Sequence, residues 1–270
     1  MDVDRAAVER ALVDAGCISP VEEAGELLLA AQDDPLALTA MLERRIEGEP
    51  LPWITGSIRF CGLEVRVAPG VYVPRWQTEP LARLAASLLP TEGVAIDLCT
   101  GAGAIAMVLG TAAPEGRVIA TDIDPLAVAC ARTNGVDARE GALDEPLPSS
   151  LEGAVDVVTA VPPYVPTGEL QYLPRDVQKH EPRAALDGGA DGTEVLAEIV
   201  RRAPRWLRPG GRLVLELGGE QAATLEPTLR AAGFDAPDVL RDAEDDPRGI
   251  VARLAAGARR GLVEERASVR

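Results

Sequence analysis

Residues 94–109 constrain the fold more than any other stretch. The apolar run Val94-Ala95-Ile96 closes on Asp97-Leu98-Cys99-Thr100-Gly101-Ala102-Gly103 and passes into Ala104-Ile105-Ala106-Met107-Val108-Leu109. This pattern predicts a buried strand, a glycine turn and a helix. Glycines let the backbone turn sharply and approach a ligand closely, and the free N–H groups of a helix start attract an anion. Twenty-five positions after Asp97, a second run, Val118-Ile119-Ala120-Thr121, ends in Asp122. A carboxylate there can accept hydrogen bonds from both hydroxyls of a ribose. The pair describes a nucleoside pocket with an anionic group at one end.

The glycine pattern alone does not choose the ligand. Gly101-Ala102-Gly103-Ala104-Ile105-Ala106 satisfies the dinucleotide fingerprint in its G-x-G-x-x-A form. Asp97, however, ends the strand where dinucleotide binders usually stay apolar. A carboxylate there suits S-adenosylmethionine, whose amino group and sulfonium are both cationic, while its own carboxylate can take the helix-start amides. A nicotinamide cofactor and a turn that serves packing only are the alternatives.

The rest of the chain fits an alternating architecture. Residues 4–15, the segment opened by Ser19-Pro20-Val21-Glu22 (a capping box with proline at the first helical position), and the segment opened by Asp34-Pro35 read as three short helices. Their inward stripes are Val21, Ala24, Leu27, Leu28 and Ala31, then Leu38, Met41, Leu42 and Ile46. The pattern breaks over 48–52. Residues 58–60 and 63–67 alternate around Cys61-Gly62 as a hairpin. Further strands are expected at 155–160, at 212–217 after a Pro209-Gly210-Gly211 turn, and as a last pair near 235–240 and 249–254, with a helix over 126–133. Strands alternating with helices predict an α/β, doubly wound, mostly parallel Rossmann-like sheet with ligands at the carboxyl ends of its strands. The expected division is a helical bundle over 1–49, a β-hairpin linker over 50–74, a cofactor-binding domain over 75–256 and a polar tail over 257–270.

Charge narrows the function classes. The formal charge is −16, from 43 acids against 27 bases, which opposes binding along a nucleic-acid backbone. Four scattered cysteines and a single histidine lack metal-ligand spacing, so no metal is expected, and reduced thiols in a cytoplasmic protein are. No apolar run approaches the length of a membrane span.

Several motifs in order carry a resemblance: Glu49-Pro50, Ile54-Thr55-Gly56, Phe60, Val73-Pro74-Arg75 with Thr78-Glu79, residues 97–106, Asp122, Pro162-Pro163-Tyr164, Glu181-Pro182, Ala185-Leu186, Asp191-Gly192, Pro209-Gly210-Gly211 and Glu216-Leu217-Gly218. Over roughly residues 40–254 the chain resembles the protein-(glutamine-N5) methyltransferases, which modify peptide release factors, with a close relative acting on a ribosomal protein. The resemblance implies S-adenosyl-L-methionine as cofactor and a protein or peptide methyl acceptor, with the N-terminal bundle reading the substrate. It implies a cofactor site of Asp97, Cys99, Thr100, Gly101, Ala102, Gly103, Asp122, Ile123, Leu143 and Val161. The acceptor site would be Val161, Pro162, Pro163 and Tyr164, with Pro162 and Tyr164 catalytic.

In the family, an Asn-Pro-Pro-Tyr loop aims the amide nitrogen: the Asn side chain and a proline carbonyl accept its two N–H bonds. Here Val161 stands in the Asn position. Gln77 replaces an acid, and Ala142 stands where an Asp often meets the adenine amino group, with Asp144 as a possible substitute. Leu143 is expected against the adenine ring or in the core. His180, within the polar stretch 175–183, is read as a solvated loop residue, Glu181-Pro182 as closing that loop, and the arginines at 201, 202, 205 and 208 as a solvated helix face. Two readings compete with glutamine methylation: the same chemistry on another nucleophile, and a binding module without turnover.

Overall fold

The structure is a computed structural model and describes residues 5–257. The expected polar tail, Gly257 apart, lies outside the described residues.

Three helices, α1 (Arg5–Asp14), α2 (Pro20–Ala31) and α3 (Pro35–Ile46), bury Val8, Leu12, Ala24, Leu27 and Leu38 against one another. Asp34 caps α3 by accepting the Leu36 amide at 2.9 Å. The capping box expected at Ser19 does not form: the Ser19 side chain makes no cap bond. Two inward positions also differ, since Val21 and Ile46 are exposed. Glu23 takes a buried place on α2 instead, because Arg45 pairs with it at 2.6 Å across the bundle. The break expected over 48–52 holds the start of a short helix, α4 (Leu51–Thr55), whose Trp53 indole donates to the Val71 carbonyl at 2.9 Å. A hairpin follows, β1 (Ser57–Phe60) and β2 (Leu63–Arg66), paired antiparallel.

The rest of the chain alternates. In order come α5 (Glu79–Leu88), β3 (Val94–Leu98), α6 (Ala104–Ala112), β4 (Arg117–Asp122), α7 (Pro125–Thr133), β5 (Ala138–Glu140) and β6 (Val155–Ala160). Then come α8 (Arg175–His180), α9 (Glu194–Trp206), β7 (Leu207–Glu216), α10 (Gln221–Ala231), β8 (Asp238–Arg241) and β9 (Pro247–Arg253). The seven strands from β3 onward form one sheet in the order β5-β4-β3-β6-β7-β9-β8. Its first five are parallel, and β9 runs antiparallel to both neighbours. Apolar layers cover both faces, one around Ile96, Val158, Trp206 and Leu213, the other around Phe60, Ala95, Ile105, Val157 and Val214. The sheet is the expected doubly wound one, and strand order reverses beside β3, where such sheets bind ligands.

Three local expectations change. Pro209-Gly210-Gly211 does not precede its strand but lies within β7, where the register against β6 shifts between Val155–Leu207 and Val157–Arg212. The expected solvated arginine face is neither all helix nor all solvated: Arg202 on α9 pairs with Asp144 in the loop before β6 at 2.7 Å, and Arg208, which falls in β7, pairs with Asp156 of the neighbouring strand β6 at 2.5 Å. The stretch 175–183 contains α8 and packs on the N-terminal helices. His180 is half-buried edge-on to Trp53, and Lys179 Nζ donates to the Glu47 carbonyl at 3.0 Å. Among the described residues, no helix is long and apolar enough to cross a membrane.

Candidate active site

Strand register assembles the site. Leu98 pairs with Thr121 on one side and Ala160 on the other, and Ala160 pairs with Leu215. The next residue of each strand therefore falls in one row along the carboxyl edge: Cys99, Asp122, Val161 and Glu216. Asp97, Cys99, Thr100, Gly101, Ala102 and Val161 line one cleft together with Tyr72, Arg75 and Thr78.

Asp97 is 1% exposed, and both of its oxygens are engaged: Thr159 donates to Oδ1 and Thr100 to Oδ2, each at 2.6 Å. Burial pushes its carboxyl up to about 6 despite these bonds, and nearby Asp122 adds to the rise. A cation brought to the cleft would favour the ionised form. Cys99 has its thiol pushed up by burial and by the same two acids, so it stays neutral and serves as wall rather than nucleophile.

Asp122 shapes the loop as well as the pocket. Its Oδ2 accepts the Gly101 amide at 2.8 Å and its Oδ1 the Asp124 amide at 3.0 Å. Each carboxylate oxygen keeps a further lone pair for a ribose hydroxyl. Ile123 beside it is 69% exposed, an apolar surface free to meet a flat base. Leu143 packs against the larger apolar layer, which favours the core reading. Asp144 is no substitute for the acid missing at Ala142. It is buried and accepts from Arg202 at 2.7 Å and from the Trp206 indole at 2.9 Å, so its oxygens are committed to α9.

The two loop glycines differ. A Cβ on Gly101, at φ 56°, would meet nothing within 4 Å, so this is the backbone open to a ligand. A Cβ on Gly103, at φ 85°, would lie 2.9 Å from Val136 Cγ2 and 3.1 Å from Ala131 Cβ. Gly103 must be small so that α7 can pack, a packing requirement that stands beside the expectation that it admits the cofactor.

Val161 faces the cleft and Pro162 is buried behind it. Tyr164 turns to the far side, where its hydroxyl donates to Glu216 Oε1 at 3.0 Å. There it walls a second groove of about 590 Å³ that Glu169, Tyr172, Asp191 and Gly218 also line. Pro163, between Pro162 and Tyr164 in the chain, is half-buried, and its carbonyl lies 2.7 Å from where a Cβ on Gly188 would be.

Three polar residues at this edge, Tyr72, Arg75 and Glu216, had no role expected from sequence, and Glu181 was expected only to close its loop. Arg75 stacks over the Tyr72 ring at 4.9 Å and forms an ion pair with Glu181, whose side chain is fully enclosed. Burial raises the Tyr72 hydroxyl to about 12. Glu216 ends a buried strand as Asp122 does, and that shared position was a usable signal. The Arg75–Glu181 pair spans 106 residues, and nothing local in the sequence announces it. Among the described residues, no group of three or more His, Cys, Asp or Glu is placed to hold a metal ion.

Comparisons with known proteins place this geometry. The family model described as "Methyltransferase small domain" matches residues 62–173. A release factor glutamine methyltransferase of Mycolicibacterium smegmatis is 38% identical over 238 residues, covering 84% of each chain. One of Moorella thermoacetica is 40% identical over 219 residues, covering 76% of this chain and 77% of its own. Among solved structures, the E. cuniculi Mtq2-Trm112 complex, described as responsible for methylating the eRF1 translation termination factor, aligns with a TM-score of 0.50 at 22% identity. It covers 69% of this chain and 99% of that one, and supports the fold.

Proposed function

Because this chain belongs to the release factor glutamine methyltransferase family, we propose that it methylates the side-chain amide nitrogen of a glutamine in a protein, a peptide release factor. The observation that carries this reading is the row at the sheet edge, where a cofactor loop and a Pro-Pro-Tyr acceptor loop end on adjacent parallel strands.

S-adenosylmethionine, when bound, supplies a methyl group already activated on a sulfonium. The cleft suits it: an open backbone at Gly101, a buried carboxylate at Asp97 for its cationic end, and spare lone pairs on Asp122 for its ribose. The chain's own task is placement. An amide nitrogen is a poor nucleophile, and holding it in line with the methyl supplies much of the acceleration. Backbone carbonyls of the Pro162-Pro163 loop do not depend on side-chain identity and can accept one N–H. The helices over residues 1–49 are assigned to recognition of the acceptor protein. Incubating a recombinant bacterial release factor with enzyme and cofactor, then measuring intact and peptide masses, tests the reading: one methyl on a glutamine is expected, and an unmodified factor overturns it.

Two variants probe the roles. Asp122→Ala should weaken S-adenosylmethionine binding by about 1.5–3 kcal/mol, the scale of a hydrogen bond to a charged group. Unchanged affinity by calorimetry would remove Asp122 from the ribose site. Val161 favours a second reading, an acceptor with an apolar part against that side chain. If the acceptor is a glutamine, Val161→Asn offers its N–H an acceptor, and transfer runs at the wild-type rate or up to about tenfold faster. If Val161 packs on an apolar group, the variant buries an unpaired amide and slows the natural reaction. Slowing, or its absence, decides.

A further inference from the structure

Val161 leaves one amide N–H of a glutamine acceptor without a side-chain partner, and the same row of the sheet holds a carboxylate with one oxygen that lacks a donor. Ala160 pairs with Leu215, so Val161 and Glu216 stand one step beyond, side by side at the ends of neighbouring parallel strands. Glu216 is 6% exposed. Its Oε1 takes the Tyr164 hydroxyl at 3.0 Å, whereas its Oε2 is buried with no hydrogen-bond partner among the described residues. The Thr78 hydroxyl lies close enough to favour the ionised carboxylate without completing a hydrogen bond to Oε2, Arg75 is a neighbour, and Tyr72 is close by; all three line the cofactor cleft. Tyr164 belongs to the acceptor loop. Glu216 therefore sits in the wall between cleft and loop.

The nearby cations do not satisfy Oε2. Arg75 is bound to Glu181, and Arg248 donates to Asp242 at 2.6 Å. A buried carboxylate oxygen without a donor is costly and rare in a native fold, and such an atom marks a place where a donor arrives.

Resting on the reading that the acceptor is a primary amide, we propose that Glu216 is a catalytic residue whose Oε2 accepts the amide N–H left unheld at position 161. When the N–CH3 bond forms and the S–CH3 bond breaks, the nitrogen keeps one of its two protons and sheds the other, and Oε2 is the atom that takes it. Burial raises the affinity of this carboxylate for a proton, as the role requires. A carboxylate is a stronger acceptor than an amide oxygen, so glutamine chemistry survives the change at 161.

The decisive variant is Glu216→Gln. It keeps one oxygen for Tyr164 and turns an NH2 group toward the acceptor, donor against donor. With a recombinant release factor, kcat should fall about 10- to 100-fold, the scale of losing a hydrogen bond to a charged group, while the S-adenosylmethionine Kd stays within about twofold. Release-factor binding to the enzyme loaded with S-adenosylhomocysteine should weaken in parallel. Adding Val161→Asn to Glu216→Gln should recover about tenfold of the lost rate, because it restores an acceptor for the same N–H. A role limited to anchoring Tyr164 would show no such rescue. A single variant within about threefold of wild type in kcat, or a loss that Val161→Asn leaves untouched, overturns the proposal. If Glu216→Gln does not fold, Glu216→Asp, which withdraws the carboxylate by one methylene, is judged by the same rescue. Wild-type enzyme that leaves the release factor unmodified overturns the substrate reading and this inference with it; active wild type without rescue overturns only the role of Glu216.

Discussion

S-adenosylmethionine should bind about tenfold more weakly for each pH unit below about 6, and Asp97→Asn should abolish that dependence while weakening binding at neutral pH by about 2–5 kcal/mol. Asp97 is buried with two hydroxyl donors and a carboxyl raised to about 6. The cationic end of the cofactor is best matched by the ionised form, so below that pH binding must first expel a proton. Calorimetry at pH 5 and 7.5 in buffers of different ionisation enthalpy measures both affinity and proton release. Equal affinities at the two pH values would detach Asp97 from the cofactor.

Stability moves in the opposite sense. A folded-state value raised above the unfolded value means that the native protein holds the proton more tightly. Protein without cofactor therefore loses stability as pH rises from about 4 to about 6, by an amount on the order of 3 kcal/mol from this group. Asp97→Asn removes that cost, so above pH 6 the variant should unfold at a higher temperature than wild type while binding cofactor worse. The site holds a charge that the fold itself disfavours.

The second large effect separates the two glycines. Gly103→Val should cost about 2–5 kcal/mol of stability, because a β-branched residue at a left-handed φ adds strain and its Cβ meets Val136 and Ala131. Gly101→Val carries the conformational strain but no clash. It should stay folded and lose the cofactor, whose approach the new side chain blocks. Denaturant unfolding and calorimetry on both variants check this. If Gly103→Val unfolds at the wild-type midpoint, or Gly101→Val binds normally, the assignment of packing to one glycine and ligand approach to the other is wrong.

The sheet and the two loops expected to form the site at its carboxyl edge were legible in the chain because each is written locally. The runs at 94–96, 118–121 and 155–160 alternate with helical segments, and Asp97, Gly101 and Asp122 sit where strands end. A parallel sheet must gather such ends on one edge, so a few positions along a single chain are enough to place a pocket. β5 escaped this reading because a three-residue strand, Ala138–Glu140, carries too little pattern.

Pairings between distant segments were decided only in three dimensions. Asp144 is adjacent to the expected adenine pocket in sequence, yet α9 claims it through Arg202 and Trp206. Gly103 belongs to a motif that suggests a ligand, yet α7 sets its size. Glu181 looks like part of a solvated stretch until Arg75 meets it, and only the pairing of β6 with β7 sets Glu216 beside Val161. Hydrophobic period and turn chemistry depend on near neighbours along the chain, whereas the partner of a buried charge depends on which elements the finished core presses together.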